Sequence, residues 1–271
     1  MRARRSKAED VSRRVVVSLP PRFAGGLGSE ERADSAEALL HHILFMRSQI
    51  PVPFRELQAC VDEFVNADAS GCSSLSLRKR SHMRKLQRYV SEVSELCHGI
   101  KKICHRSAVD SISFMFGASA AAPREMVSII FPKSNSAPAP ISSTDADGIK
   151  RKIIREVIGS FSDVPITILP STSLFASVVV SGSSSLVDPD SDNHPLFAVR
   201  DNFSPTLRKK GTPLLEVQLG DANGDGVAGG ELGQPGSPMQ VCGLDAENKS
   251  AHVLRRGVRS ISKATAEALF K

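Results

Sequence analysis

Three stretches of the sequence carry residues whose types and spacing could do chemistry. "DANGDGVAGGEL", residues 221–232, sets Asp221, Asn223, Asp225 and Gly226 at the first, third, fifth and sixth places of an EF-hand calcium loop. The twelfth place needs a bidentate Glu to complete the oxygen shell and holds Leu232 instead; Glu231 falls one residue early, and no helical pattern flanks the loop. Cys97-His98 and Cys104-His105 are soft-ligand pairs two helical turns apart, roughly 10 Å, which is too far for one tetrahedral ion. The two cysteines read as core residues. His41 and His42 are adjacent, so on a helix they point about 100° apart and cannot chelate one ion; they read as partly exposed side chains. There is no G-x-S-x-G, no phosphate-cradling P-loop, no G-x-G-x-x-G behind a strand and no H-E-x-x-H helix. The many serines have no positioned base. No enzyme, no metal and no cofactor is expected.

The 271-residue chain is 41% hydrophobic, enough for one large domain with a real core. With no Trp, one Tyr (Tyr89) and 12 Phe it has few platforms on which bases could stack, which argues against a sequence-reading nucleic-acid module. Net charge is +6, and much of the excess sits in "MRARRSK" (1–7) and "RKRSHMRK" (78–85). Such runs ordinarily form a solvated tail and a solvated helix face; the rival reading is a basic nuclear protein that associates with nucleic acid through them. Five cysteines without paired spacing suit a reducing compartment. No apolar leader core follows the N-terminal charges, and no window reaches the roughly 18 apolar residues of a membrane span.

The elements that position these residues follow from periodicity. Residues 1–30 read as a flexible basic arm around "VVVSL", with room for one added strand, and 31–271 as one domain with a disordered Gly/Asp/Pro-rich loop at 220–250. A first helix begins near Ser35, with Asp34 or Ser35 as its cap, and Pro51 ends it. A second runs from Leu77 to Ile103, because Met83, Leu86, Val90, Val93, Leu96, Ile100 and Ile103 recur at three- and four-residue steps. "SISFMF" and "MVSIIF" alternate as strands, with Ile112, Phe114 and Phe116, then Val127, Ile129 and Phe131, on one face. After a Ser/Pro/Ala linker at 134–143, "ADGIKRKIIREVIGSF" supplies a third helix of about 12 residues. "ITIL", "LFASVVV", "LLEVQL" and "HVLRRGVRSIS" supply further strands, and "KATAEALF" a short last helix. The order predicts an α+β domain, three helices packed on a mainly antiparallel sheet.

Two of these helices face two ways. On a wheel, Leu39, Leu40, Ile43, Leu44, Met46 and Ile50 share one broad arc with Arg47 inside it, while Phe45 falls on the side that should be wet. A guanidinium stays charged, so Arg47 must snorkel to water, meet a carboxylate or backbone carbonyls, or cross an interface. In the third helix, Ile149, Ile153 and Val157 form one stripe. Ile154 and Ile158 form a second, bordered by Arg151 and Arg155. That second stripe is either buried in the chain's own domain or offered to a partner as an apolar anchor with an arginine rim.

"LLHHILFMRSQIPVPFRELQ" (39–58) resembles the first helix and Pro-x-Pro turn of the comet family, HORMA-fold proteins that bind the mitotic arrest deficient protein of the spindle checkpoint. The order downstream is similar: a long basic-headed helix, "ISFMFGASAAAPREM" with its small-residue loop, and "KRKIIREVIGSFSDVP", which resembles the family's dimerisation helix. The resemblance implies a HORMA-like fold and a non-catalytic adaptor of the nucleus and cytoplasm. Such an adaptor pairs with the closed form of a checkpoint HORMA protein and presents it to a hexameric AAA+ remodelling ATPase, silencing the spindle checkpoint. It also implies a link to meiotic chromosome-axis HORMA proteins. Carried over residue by residue, the partner contact falls on Met46, Arg47, Ile154 and Arg155; Phe45, Arg151 and Ile158 join it from the two-faced helix patterns above. Met46 stands where the family has glutamine and Ile154 where it has phenylalanine, while Arg47 and Arg155 match basic positions. "LFAVRDNF" resembles the family's ATPase-contacting segment; Arg200 keeps the cation and Val199 replaces a proline. The family's aromatic-rich closing tail has no counterpart in "EALFK".

Overall fold

Ile112, Phe114 and Phe116 alternate along β2 (Val109–Gly117), and all three are essentially inaccessible to solvent. Val127 and Ile129 do the same along the antiparallel neighbour β3 (Glu125–Ile130). One sheet face is thereby fixed as the core face, and the helices pack there. The computed structural model describes residues 12–19, 27–70, 76–132, 143–162, 172–181, 196–201, 214–221 and 250–261, with 203, 205 and 265.

The sheet runs β1 (Ser12–Leu19), β6 (Leu214–Asp221), β3, β2, β4 (Ser173–Val180), β7 (Ser250–Leu254), β5 (Phe197–Asp201), with the short β8 (Val258–Arg259) also pairing β4. Pairings around β2, β4 and β7 are antiparallel as expected, but β6 lies parallel to both β1 and β3, so the sheet is mixed. The stretch expected as an arm supplies the β1 edge. Val17 is fully buried, and Arg14 reaches Glu216 directly across the β1–β6 register at 3.4 Å. On the face away from the helices, Arg14, Glu216, Ser128, Ser113 and Ser177 form one cross-strand row, with the Ser113 and Ser128 hydroxyls 2.8 Å apart. "HVLRRGVRSIS" folds as β7 and β8 rather than one strand. Gly257 separates them where a Cβ would come within 2.7 Å of the Phe175 ring.

Among the described residues four helices, not three, contribute to the core on that face. α1 (Ser29–Met46) starts six residues before the expected cap; Gly28 takes the N-cap place, Glu30 and Glu31 complement the helix dipole, and Ser35 is buried inside the helix. α2 (Phe54–Ala69) was not anticipated. Pro53 caps it, and Phe54, Leu57, Val61 and Phe64 make its buried stripe at three- and four-residue steps. α3 (Leu77–Arg106) matches its expected stripe, with Ser76 accepting from the Lys79 amide at 3.4 Å. α4 (Ser143–Ser162) is 20 residues long, well beyond the 12 or so expected. No helix among the described residues is long and apolar enough to cross a membrane. The basic run 1–7, "ITIL", all of "DANGDGVAGGEL" but Asp221, and all of "KATAEALF" but Thr265 lie outside the described residues.

Pro51 does not end α1; the helix stops at Met46, and Ser48 with φ 51° turns the chain. The Gln49 amide donates to the Leu44 carbonyl and the Ser48 amide to the Phe45 carbonyl, both at 2.9 Å, the pattern of a Schellman cap with serine where glycine is usual. Ser48→Gly should therefore raise unfolding stability by up to about 1 kcal/mol, and Ser48→Val should lower it by about 1–2 kcal/mol. Urea denaturation midpoints of the two variants check this.

Candidate functional site

The Schellman turn delivers Arg47, its C-cap residue, into the protein rather than onto it. The side chain is almost completely buried and forms an ion pair with Glu125, equally buried. Glu125 opens β3 on the same strand face as Val127 and Ile129, so its carboxylate points into the helix-side core. Burial pushes the Glu125 carboxyl above its ordinary value, and Arg47 only partly offsets this. Beside the pair, the buried Gln49 donates from Nε2 to the Arg47 carbonyl at 3.1 Å. Of the expected partner-contact residues, Arg47 must therefore be withdrawn. It is neither snorkelling nor at an interface but clamps the end of α1 to the β2–β3 hairpin. The signal was present in the sequence: stepping back by two from Val127 puts Glu125 on the core face, where a carboxylate requires a cation.

The remaining expected contact residues lie on α4, at the end of α1 and on β5. Ile149, Ile153 and Val157 are buried against α1 and β1, each worth about 1.5–3 kcal/mol of burial. Lys152 donates to the Ser18 carbonyl on β1, and Lys150 bridges to Asp34 of α1 at 3.0 Å. Lys101 of α3 also meets Asp34, at 3.7 Å, and Glu30, at 3.0 Å, so three helices share one charge network. With its inner stripe spent, α4 turns its second stripe outward. Ile158 is 41% exposed, Ile154 is half-buried, and the exposed Arg151 and Arg155 border them along one side. Phe45, 40% exposed, and Met46, half-buried, end α1, the helix on which α4 packs. Val199 and Arg200 are exposed on β5, at the opposite sheet edge from β1. The Arg200 guanidinium stands 5.9 Å from the centre of the Phe203 ring.

The soft-ligand pairs resolve as expected for Cys97 and Cys104, which are buried, with their thiols pushed upward by burial, that of Cys104 to about 12. His98 and His105 point to solvent. His41 stacks on Phe54, with ring centres 4.1 Å apart and planes 13° apart. Desolvation brings its pKa down to about 4.

The architecture is that of a HORMA-like α+β domain: four helices on one face of a mixed sheet, with an apolar helix face left at the surface. A family model described as "p31comet: Mad1 and Cdc20-bound-Mad2 binding" matches residues 2–181. The chain belongs to that family. It is also similar to a mouse (Mus musculus) protein named MAD2L1-binding protein, 24% identical over 107 residues. That match covers 40% of this chain and 39% of the relative's length, so the chain matches about two-fifths of that protein.

Breaking the clamp should be costly and removing it whole should not. Arg47→Met leaves Glu125 buried and unpaired and should lower unfolding stability by about 3–5 kcal/mol, whereas Arg47→Met with Glu125→Leu should regain most of that loss. Equilibrium denaturation of the single and double variants measures the difference; equal loss in both would show that the pair does not clamp the fold.

Proposed function

We propose that the protein is a non-catalytic adaptor that binds the closed, Cdc20-bound form of a Mad2-like HORMA protein through the outer face of α4. The observation that carries this reading is the division of labour on α4, where one isoleucine–valine stripe is consumed by the chain's own core and a second, with half-buried Ile154 and exposed Ile158, is left beside exposed Arg151 and Arg155. An apolar anchor with a polar, water-accessible rim is the anatomy of a protein-binding hot spot. Membership of a family described by Mad1 and Cdc20-bound-Mad2 binding supports the choice of partner. Phe45 and Met46 extend the proposed contact from the end of α1.

Adaptor action also needs a second surface. Val199 and Arg200 on β5 are proposed to meet a hexameric AAA+ remodelling ATPase. The β1 and β5 edges are six strand spacings apart, about 29 Å across the sheet, so client and ATPase have room to bind together. The energy for remodelling belongs to the ATPase, and the adaptor contributes differential affinity for one client state. Such an activity places the protein in spindle-checkpoint silencing, in the nucleus and cytoplasm, with meiotic chromosome-axis HORMA proteins as further clients.

Ile154→Asp with Ile158→Asp should abolish capture of purified Mad2 bound to a Cdc20 peptide, with the circular-dichroism melting curve nearly unchanged. Val199→Asp with Arg200→Glu should keep that capture and lose the ternary complex with the ATPase. Capture that persists in the α4 variant, or that falls steeply with salt and follows the basic face of α3 instead, would sink the proposal.

A further inference from the structure

Glu37 and His41 are one turn apart on α1, so their side chains share a face. α3 packs across that face and brings up Cys97. A carboxylate oxygen of Glu37, an imidazole nitrogen of His41 and the Cys97 sulfur all lie within 4.8 Å of one another. Ligand atoms around a tetrahedral zinc ion are about 3.3–3.8 Å apart, given bonds of roughly 2.0–2.3 Å, so small side-chain adjustments close the trio on one ion. The ring of His41 is held by its stack on Phe54, and its Nε2 is buried without a hydrogen-bond partner among the described residues.

We propose that Glu37, His41 and Cys97 form a binding site for a borderline-soft divalent cation of the zinc type, stapling α1 to α3 with a fourth position open to water. The donor set and its surroundings select the metal class. Asp34, Lys101, Lys150 and Arg55 all act on Glu37, so the locality is not a net acidic cage of the kind calcium or magnesium requires. Affinity has to come from bonds to nitrogen and sulfur, which favours zinc or cobalt over the hard cations. Binding converts the Cys97 thiol to a metal-bound thiolate and releases its proton to solvent. The spacing is invisible to a motif search because one ligand comes from a different helix, 56 residues beyond His41.

The test uses the full chain, freed of metal with a chelator and then titrated with Co²⁺ alone. The expected result is a thiolate-to-cobalt charge-transfer band with the visible bands of a tetrahedral ion, together with a rise in melting temperature on adding Zn²⁺. Cys97→Ala should remove the charge-transfer band, and Glu37→Gln, which leaves the buried thiol in place, should weaken binding by at least about tenfold. Cys104→Ala should leave both signals intact. Absence of the band in the parent protein, its survival in Cys97→Ala, or unchanged affinity in Glu37→Gln would each overturn the site.

Discussion

The buried pair of Arg47 and Glu125 is the constraint around which the rest of the domain is arranged. Neither charge can stand alone in the core, because an unpaired buried ion costs several kcal/mol, so wherever Glu125 is fixed by the sheet the C-cap of α1 must follow. That requirement explains the left-handed Ser48, the early stop of α1 and the buried Gln49 as parts of one arrangement. The turn then presents Pro53 as the start of α2, which packs on α3. A pair of this kind contributes little net stability compared with a packed apolar substitute, but it makes one docking of helix on hairpin far better than its alternatives.

Rigidity on the inner side has its counterpart outside. α4 is anchored by three fully spent apolar residues, by Lys152 on the β1 backbone and by the Lys150–Asp34–Lys101 network. A helix held so firmly from within presents its other face without further ordering cost, which favours binding because less conformational freedom is lost on association. The edge strand β5 lies at the far end of the same sheet. The sheet thus sets the outer face of α4 and the β5 edge apart, as the proposed pair of contacts requires.

Parts of this organisation were plain in the residues. The α3 stripe and the alternation in β2 and β3 placed the core correctly, since strong periodicity over long segments leaves few competing arrangements. The two-striped character of α4 was equally visible. Missed elements have physical reasons. α2 follows a Pro-x-Pro turn that both breaks one helix pattern and starts the next, because proline's fixed φ suits a helix entrance. β1 reads as an arm because "VVVSL" is too short to fold alone, and its register partner is β6, about 200 residues on. The Glu37–His41–Cys97 cluster is hidden for the same reason: along the chain His41 stands beside His42 and Cys97 beside His98, and only packing of α3 on α1 brings Cys97 to the other two.

The sequence by itself determined which faces are apolar, since periodicity is a local property of side-chain type and helix or strand geometry. It also determined that one cation must be reconciled with a greasy arc. Which partner meets that cation, where α1 stops, and that β6 enters parallel between β1 and β3 were decided by tertiary structure. Those outcomes depend on groups distant along the chain being brought within a few ångströms, and the energy that selects among them, burial of charge and closure of the sheet, exists only once the core has formed.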